Sequence, residues 1–166
     1  MEFKIHERKF RLIDDVLYSF YKKGCSKTKN WHLVKLSLTF HGYKTFGFNV
    51  NGKSKAFKYH RAVYYANNPT WDIYDSSNEN FIDHIDGVKT NNHISNLRNV
   101  TNQENQFNRK KSKGYYFNKA KGKYQARIKL NGKLIHISYH DTADEAHEAY
   151  LNKKAELHII PQRIHN

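Results

Sequence analysis

The apolar positions of residues 5–23 (Phe10, Leu12, Ile13, Val16, Leu17 and Phe20) recur at a spacing that fits either a short helix or a buried strand. Residues 31–39 and 44–50 alternate apolar with polar positions, the period of a half-exposed strand. Asn51-Gly52 then gives a strong two-residue hairpin signal, because both residues tolerate positive φ. It leads into 53–59, so the pattern predicts a small antiparallel sheet with lysine-rich edges. Residues 60–68 read as a short helix, stopped by Asn67-Asn68-Pro69. A loop over 70–80 precedes a short buried strand at 81–85. Asp86-Gly87 opens a polar loop over 86–95, and a second short strand follows at 96–100. Thr101 and Glu104 have the spacing of a capping box, which predicts a helix over 102–110.

From Gly114 the pattern changes. Three strands are predicted at 114–119, 123–130 and 133–140, with turns at 120–122 and Asn131-Gly132. In the middle strand Tyr124, Ala126, Ile128 and Leu130 share one face, and Gln125, Arg127 and Lys129 the other. Residues 142–157 read as a helix with a second Thr-x-x-Glu cap, Thr142 and Glu145. Its apolar stripe is Ala146, Ala149, Tyr150 and Leu157. The expected class is α+β, with a sheet-bearing first part and a three-stranded sheet on one helix at the end.

Charge changes the picture more than composition does. The chain has 166 residues, enough for one or two small domains, and a formal net charge of +14. Such an excess implies a polyanionic partner. Aromatics at 14% argue against a disordered basic tail. The acids are clustered. Segment 16–71 holds ten Lys/Arg and no acid, segment 72–104 holds six acids and two bases, and segment 105–140 again holds ten Lys/Arg and no acid. An acidic centre between two basic arms suggests a divalent-metal site flanked by phosphate-holding surfaces. No apolar run approaches the ~20 residues of a membrane span. The first residues carry mixed charge and no apolar signal core, and the single Cys25 cannot pair internally. A cytoplasmic protein is expected, in the host cell if the gene belongs to a phage, and zinc held by cysteine pairs is excluded.

The ordered set Asp83-His84-Ile85-Asp86-Gly87, Asn91-Asn92, Asn96-Leu97-Arg98 and Glu104-Asn105 resembles the HNH homing endonucleases, whose nuclease core is a ββα-metal finger. The preceding His60-Arg61-Ala62-Val63 is similar to a helix those proteins carry upstream. The resemblance implies an H-N-N version of the site, with a core at about 80–108 in a nuclease domain over 1–108. His84 would be the general base, with His93 in the same loop as the competing candidate. Asn96 would hold the loop and orient His84. Asp83 and Asn105 would bind one divalent cation per site. One carboxylate and one amide oxygen make a hard, weakly charged donor pair, which favours Mg²⁺ or Mn²⁺ over zinc. The reaction would be hydrolysis of a DNA phosphodiester, nicking one strand or cutting both, to leave 5′-phosphate and 3′-hydroxyl ends.

Residues 114–160 resemble the ethylene-response-factor-type (AP2/ERF) DNA-binding domain, on Gly114-Tyr115, Lys123 to Ile128, Asn131-Gly132-Lys133 and Thr142 to Tyr150. Tyr124 stands where that family often has tryptophan. The resemblance implies a sheet in the major groove of double-stranded DNA. Gln125, Arg127, Lys129 and His136 would read bases. Arg109, Lys110, Lys111, Lys113, Lys119, Lys121 and Lys123 would contact phosphates, and Lys133 and Arg61 would also bind the DNA. Residues 109–113 would form a basic linker. The oligomeric state is expected to be monomer or homodimer. A DNA-binding regulator without catalysis is the competing function. An RNA-binding role ranks last, because no aromatic RNA-recognition motif is present.

Overall fold

A computed structural model describes residues 1–108 and 112–160, and these divide into two compact units, 1–99 and 100–160. Of the residues expected at the DNA, Arg109, Lys110 and Lys111 lie outside the described residues.

The first unit opens with a four-stranded antiparallel sheet, β1 (Glu2–Ile5), β2 (Arg8–Ile13), β3 (Val16–Tyr21) and β4 (Asn30–Leu33), paired in that order. The ambiguous periodicity of residues 5–23 therefore resolves as strands. The turn between β2 and β3 is Asp14-Asp15, with φ of 46° and 59°, which sets Ile13 opposite Val16. That register turns Phe10, Leu12, Leu17 and Ser19 inward, where they are buried.

The 31–59 region divides between two sheets. β4 joins the first, whereas β5 (Ser37–Leu38), β6 (Lys44–Val50) and β7 (Lys53–Lys58) form a second antiparallel sheet. Asn51 and Gly52, at φ of 50° and 77°, make the β6–β7 hairpin turn as the sequence predicts. Phe10 packs its ring 5.6 Å from Phe46 and 5.4 Å from Phe48, which binds the sheets into one core. α1 (Tyr59–Asn67) adds Tyr59, Ala62, Val63 and Tyr64 to that core. Asn68 closes the helix through its backbone N–H to the carbonyls of Tyr64 and Tyr65, just before Pro69. β8 (Phe81–His84) and β9 (Leu97–Val100) then pair as a two-stranded ribbon around a loop that ends in a short 3₁₀ turn, Ile94–Asn96.

In the second unit α2 (Asn102–Phe107) begins at a complete capping box. Thr101 Oγ1 accepts from the Glu104 amide, and Glu104 returns to the Thr101 amide at 2.7 Å. β10 (Tyr115–Asn118), β11 (Lys123–Leu130) and β12 (Lys133–His140) form a three-stranded antiparallel sheet in chain order. α3 (Ala143–Leu157) packs across it and buries Ala146 and Tyr150, opposite the buried Ala126 and Ile128. Its Thr142 cap forms, but the Glu145 carboxylate sits 3.9 Å from His140 Nδ1.

One glycine closes this unit. At Gly114, φ is +74°, and a Cβ there would meet the Tyr150 ring at 1.9–2.3 Å. Gly114→Ala is therefore expected to destabilise the second unit by about 2 kcal/mol or more, from left-handed strain added to overpacking. Circular dichroism of the thermal transition reads this, and an unchanged midpoint would contradict it.

Candidate active site

The loop that joins β8 and β9 is built around Asp86. Its carboxylate accepts from the Val88 amide (2.7 Å), Asn91 Nδ2 (2.7 Å) and Asn96 Nδ2 (3.0 Å). These bonds, the Val88 amide foremost, hold the Asp86 carboxyl below its usual range. Asn96 completes the hub. Its Oδ1 accepts from the Asp86 amide, and Nδ2 also donates to the Asn91 carbonyl (2.9 Å). Asp86, which reads in sequence as a simple turn residue, is thus the organiser of the loop.

The loop delivers Asn92 to His84. Asn92 Nδ2 donates to the Thr90 carbonyl at 3.1 Å, which fixes the amide orientation. Oδ1 then faces His84 Nε2 at 2.9 Å. An amide oxygen only accepts, so Nε2 is the donor of this contact, which leaves Nδ1 as the ring nitrogen that can take up a proton. The sequence assigns the orienting role to Asn96, but the hydrogen bond to the His84 ring comes from Asn92. Both are buried, with His84 4% exposed.

Asp83, the residue before His84, takes a separate partner. Arg98 Nε and Nη2 both donate to its Oδ2, at 3.0 and 2.8 Å. Both residues are on the ribbon, Asp83 on β8 and Arg98 on β9. Arg98 is visible in the sequence as part of Asn-Leu-Arg, but its charge partner is not.

A third residue without a sequence role lies beside these two. The His60 ring, on α1, stands edge-on to His84 with centroids 5.0 Å apart. Tyr43 is 5.3 Å from His60 and 6.1 Å from His84, and Lys58 and Lys89 lie over its face at 5.2 and 4.8 Å. Burial, and secondarily Asp83, raises the Tyr43 phenol. His60 Nδ1 is buried without a hydrogen-bond partner among the described residues. Burial, with His84, Lys58 and Arg61 adding repulsion, drives its pKa down to about 3.

The sign of the pH effect follows. An unfolded His60 takes up a proton near pH 6.5, while the folded one stays neutral down to about pH 3. Its contribution is intact above 6.5 and is lost as pH falls from 6.5 towards 3, at up to about 1.4 kcal/mol per unit. His60→Phe should flatten the fall of stability over that window in urea titrations. A variant with the wild-type slope would contradict this.

The other expected residues divide. His93 caps the 3₁₀ turn. Its Nδ1 lies 2.7 Å from Ser95 Oγ and accepts from the Ser95 amide, and its Nε2 is 3.7 Å from Asp15. Arg61, expected at the DNA, is engaged within the first unit. Its guanidinium donates to the carbonyls of Asn80 (2.9 Å), Ile73 (2.8 Å) and Asp75 (2.9 Å) and stacks on Trp71 at 4.6 Å, which ties down the 70–80 loop. Asn105 lies on α2 of the second unit.

The second unit carries its own exposed array. Along the solvent face of its sheet, Arg127 lies 4.3 Å over Tyr116. Tyr116 donates to Gln125 Oε1, and Gln125 Nε2 meets His136 Nδ1 at 2.8 Å. His136 stacks near Tyr139 at 4.7 Å, and Lys121 lies over Tyr139 at 4.1 Å. A step in the β11–β12 register sets Ala126 opposite Ser138 and Arg127 opposite His136, which keeps both members of the Arg127–His136 pair on this face. Lys129 and Lys133 are exposed, and Lys123 pairs with Asp141 at 3.1 Å. Lys113 and Lys119 are also exposed.

The stretch that carries the β8–β9 ribbon, His60 and Asn105 matches a known family. A model described as HNH endonuclease matches residues 58–107. The chain carries an HNH endonuclease domain. The SPbeta prophage-derived YosQ of Bacillus subtilis (strain 168), whose name places it among the HNH homing endonucleases, is 39% identical over 72 residues. That alignment covers 43% of this chain and 39% of YosQ. The solved structure of DNA binding and cleavage by the HNH homing endonuclease I-HmuI aligns with 60% of this chain and 50% of that one, at 28% identity and a TM-score of 0.41. The chain thus spans about two-fifths of YosQ and half of the I-HmuI chain. No helix among the described residues is long and apolar enough to cross a membrane.

The donors near the HNH domain's histidine suit a particular kind of ion. Among the described residues no group of three His, Cys, Asp or Glu side chains comes close enough to hold a metal. Asp83 is a single carboxylate whose charge Arg98 already offsets in part. Such oxygen-only, weakly charged chemistry fits a hard cation that keeps most of its waters and takes further oxygens from a phosphate. It falls short of a zinc site, which takes at least three His, Cys or carboxylate ligands, a group not found among the described residues.

Proposed function

We propose that this chain is a metal-dependent DNA endonuclease of the homing type. The observation that carries the reading is the His84 ring locked by Asn92 with Nδ1 basic, beside Asp83, inside the HNH domain. His84 Nδ1 accepts the proton of the attacking water. Water oxygen bonds to phosphorus, the P–O3′ bond breaks with its electron pair on O3′, which takes a proton from a solvent water, and the products carry 5′-phosphate and 3′-hydroxyl ends. Asp83, and Asn105 from the sequence pattern, would hold one Mg²⁺ or Mn²⁺. When bound, the cation would neutralise charge on the phosphate and leaving oxygen. Arg98 holds Asp83 in place, and Asn96 works through the loop.

The second unit reads DNA in the manner of an ethylene-response-factor-type sheet. Its Arg127, Gln125, His136 and Lys129 meet base edges. The outlying lysines (113, 119, 121, 123 and 133) and the basic 109–111 segment meet phosphates, so affinity falls steeply with salt. Arg127→Ala is expected to cost about 1–3 kcal/mol at a specific site, with a smaller loss on random DNA. Gel-shift titrations read both, and equal losses would move Arg127 to the phosphate group.

The test of the enzyme reading is incubation of supercoiled and linear phage or bacterial DNA with Mg²⁺, Mn²⁺ or EDTA. Cation-dependent nicks or breaks are expected. Tight binding with no cutting under any cation would leave the competing reading, a DNA-binding regulator. The same gel separates nicked from linear product.

A further inference from the structure

A recess of about 270 Å³ opens in the first unit, away from the β8–β9 ribbon, between the β1–β2 turn, the end of β3 and the tip of the β6–β7 hairpin. Arg8 is its centre. The guanidinium lies 4.8 Å from the Phe48 ring and 5.1 Å from the Tyr21 ring, so two aromatic faces hold it in one orientation. It is half-buried, yet it makes no hydrogen bond or ion pair among the described residues. A guanidinium fixed and partly desolvated without an acceptor is prepared for a planar or tetrahedral oxyanion, which it can grip with two parallel N–H groups. Lys22 and Lys29 line the same recess and are exposed. One carboxylate, Glu7, also borders it.

The rest of the lining decides what accompanies the anion. Val50 and the Phe20–Tyr21 segment supply apolar wall, and Asn49 and Asn51 supply amides that can both donate and accept. A cationic floor, an apolar wall and amide edges together match one nucleotide: phosphate, sugar and base. The volume lies just below the range of small-molecule pockets, about 300–1,000 Å³. The walls come from three separate elements, so the recess is concave. A phosphate inside a duplex sits on a convex surface with its bases stacked away, whereas an unpaired nucleotide can enter.

We propose that this recess binds one unpaired nucleotide, as a strand end or an extruded residue, with its phosphate on Arg8 and its flank on Lys22 and Lys29. The site goes beyond cleavage and does not need His84. The probe is deoxyadenosine 5′-monophosphate, followed by a 5′-phosphorylated oligonucleotide with an unpaired end and the same duplex with a blunt, unphosphorylated end. All are titrated in EDTA against the full chain with two-dimensional NMR and calorimetry. The nucleotide should shift the amides of Arg8, Lys22 and Asn49–Asn51, and the overhang should bind at least tenfold tighter than the blunt duplex. Lys22→Glu/Lys29→Glu, both exposed, should lose at least tenfold in nucleotide affinity without a change in thermal midpoint. Arg8→Gln should lose at least as much. Wild-type affinity in both variants, or shifts confined to other residues, overturns the site. Inorganic phosphate binding as tightly as the nucleotide overturns the nucleotide assignment. A chain that binds the probe here yet never cuts DNA would count against the nuclease reading alone.

Discussion

His84→Ala is expected to lower DNA cleavage by about 10²–10⁴-fold, the range over which a positioned general base contributes, while DNA affinity in EDTA stays within a factor of about two. His84 Nε2 is already committed as a donor to Asn92, so the ring has a single basic position, Nδ1. A methyl group in its place cannot take a proton from water, whereas the loop that shapes the site rests on Asp86 and Asn96 and survives the change. Single-turnover cleavage beside a gel-shift titration separates the two quantities. Unchanged cutting would remove His84 from the reaction. A comparable fall in His93→Ala with His84→Ala active would transfer the role to His93. That outcome is disfavoured by geometry, since His93 Nδ1 already serves the Ser95 amide at a turn.

Several elements were legible because their signals are local. Asn51-Gly52 makes its hairpin, since both residues accept the positive φ that a two-residue turn needs. Thr101 and Glu104 form their reciprocal cap three residues apart, and the facing of Ala126 and Ile128 follows from a period of two. The N-terminal hairpin was ambiguous for the converse reason. Asp14-Asp15 adopts the same left-handed turn without a glycine, so the strongest turn cue is missing. The split of 31–59 between two sheets also escaped a local reading. Alternation says that β4 is a strand, but its partner β3 is set by tertiary pairing of Trp31 with Phe20 and His32 with Ser19.

The candidate site shows the same division. The order of Asp83, His84, Asn96 and Asn105 is a linear pattern and could be read. Which asparagine reaches His84 could not, because Asn91, Asn92 and Asn96 are chemically alike. The choice depends on how Asp86 folds the loop, with three bonds that turn Asn91 and Asn96 inward to the hub and leave Asn92 to the imidazole. His60 was visible only as a helix residue. Its meeting with His84 requires α1 to pack beside β8, a contact between positions 24 residues apart in the chain. The use of Arg61 was hidden for a related reason: its donors go to carbonyls of Ile73, Asp75 and Asn80, which lie 12 to 19 residues away in the chain.

Arg98→Ala is expected to cost about 3–5 kcal/mol of stability in the first unit, the usual penalty for removing the charge partner of a buried carboxylate. Asp83 is 7% exposed, and both Arg98 donors converge on one of its oxygens, so water cannot readily replace them. A double-mutant cycle isolates the pair. Asp83→Ala combined with Arg98→Ala should be more stable than the sum of the single losses, because the buried carboxylate is removed together with its guanidinium. The same pair bears on the cation. If Asp83 is a ligand, millimolar Mg²⁺ supplies in Arg98→Ala the countercharge that the guanidinium supplies in wild type. Mg²⁺ should then raise the thermal midpoint of Arg98→Ala more than that of wild type, and should do nothing for the double variant. Equal shifts in all three chains would remove Asp83 from the metal site, while additive single losses in the cycle would reduce the Arg98 contact to a surface pair of less than about 1 kcal/mol.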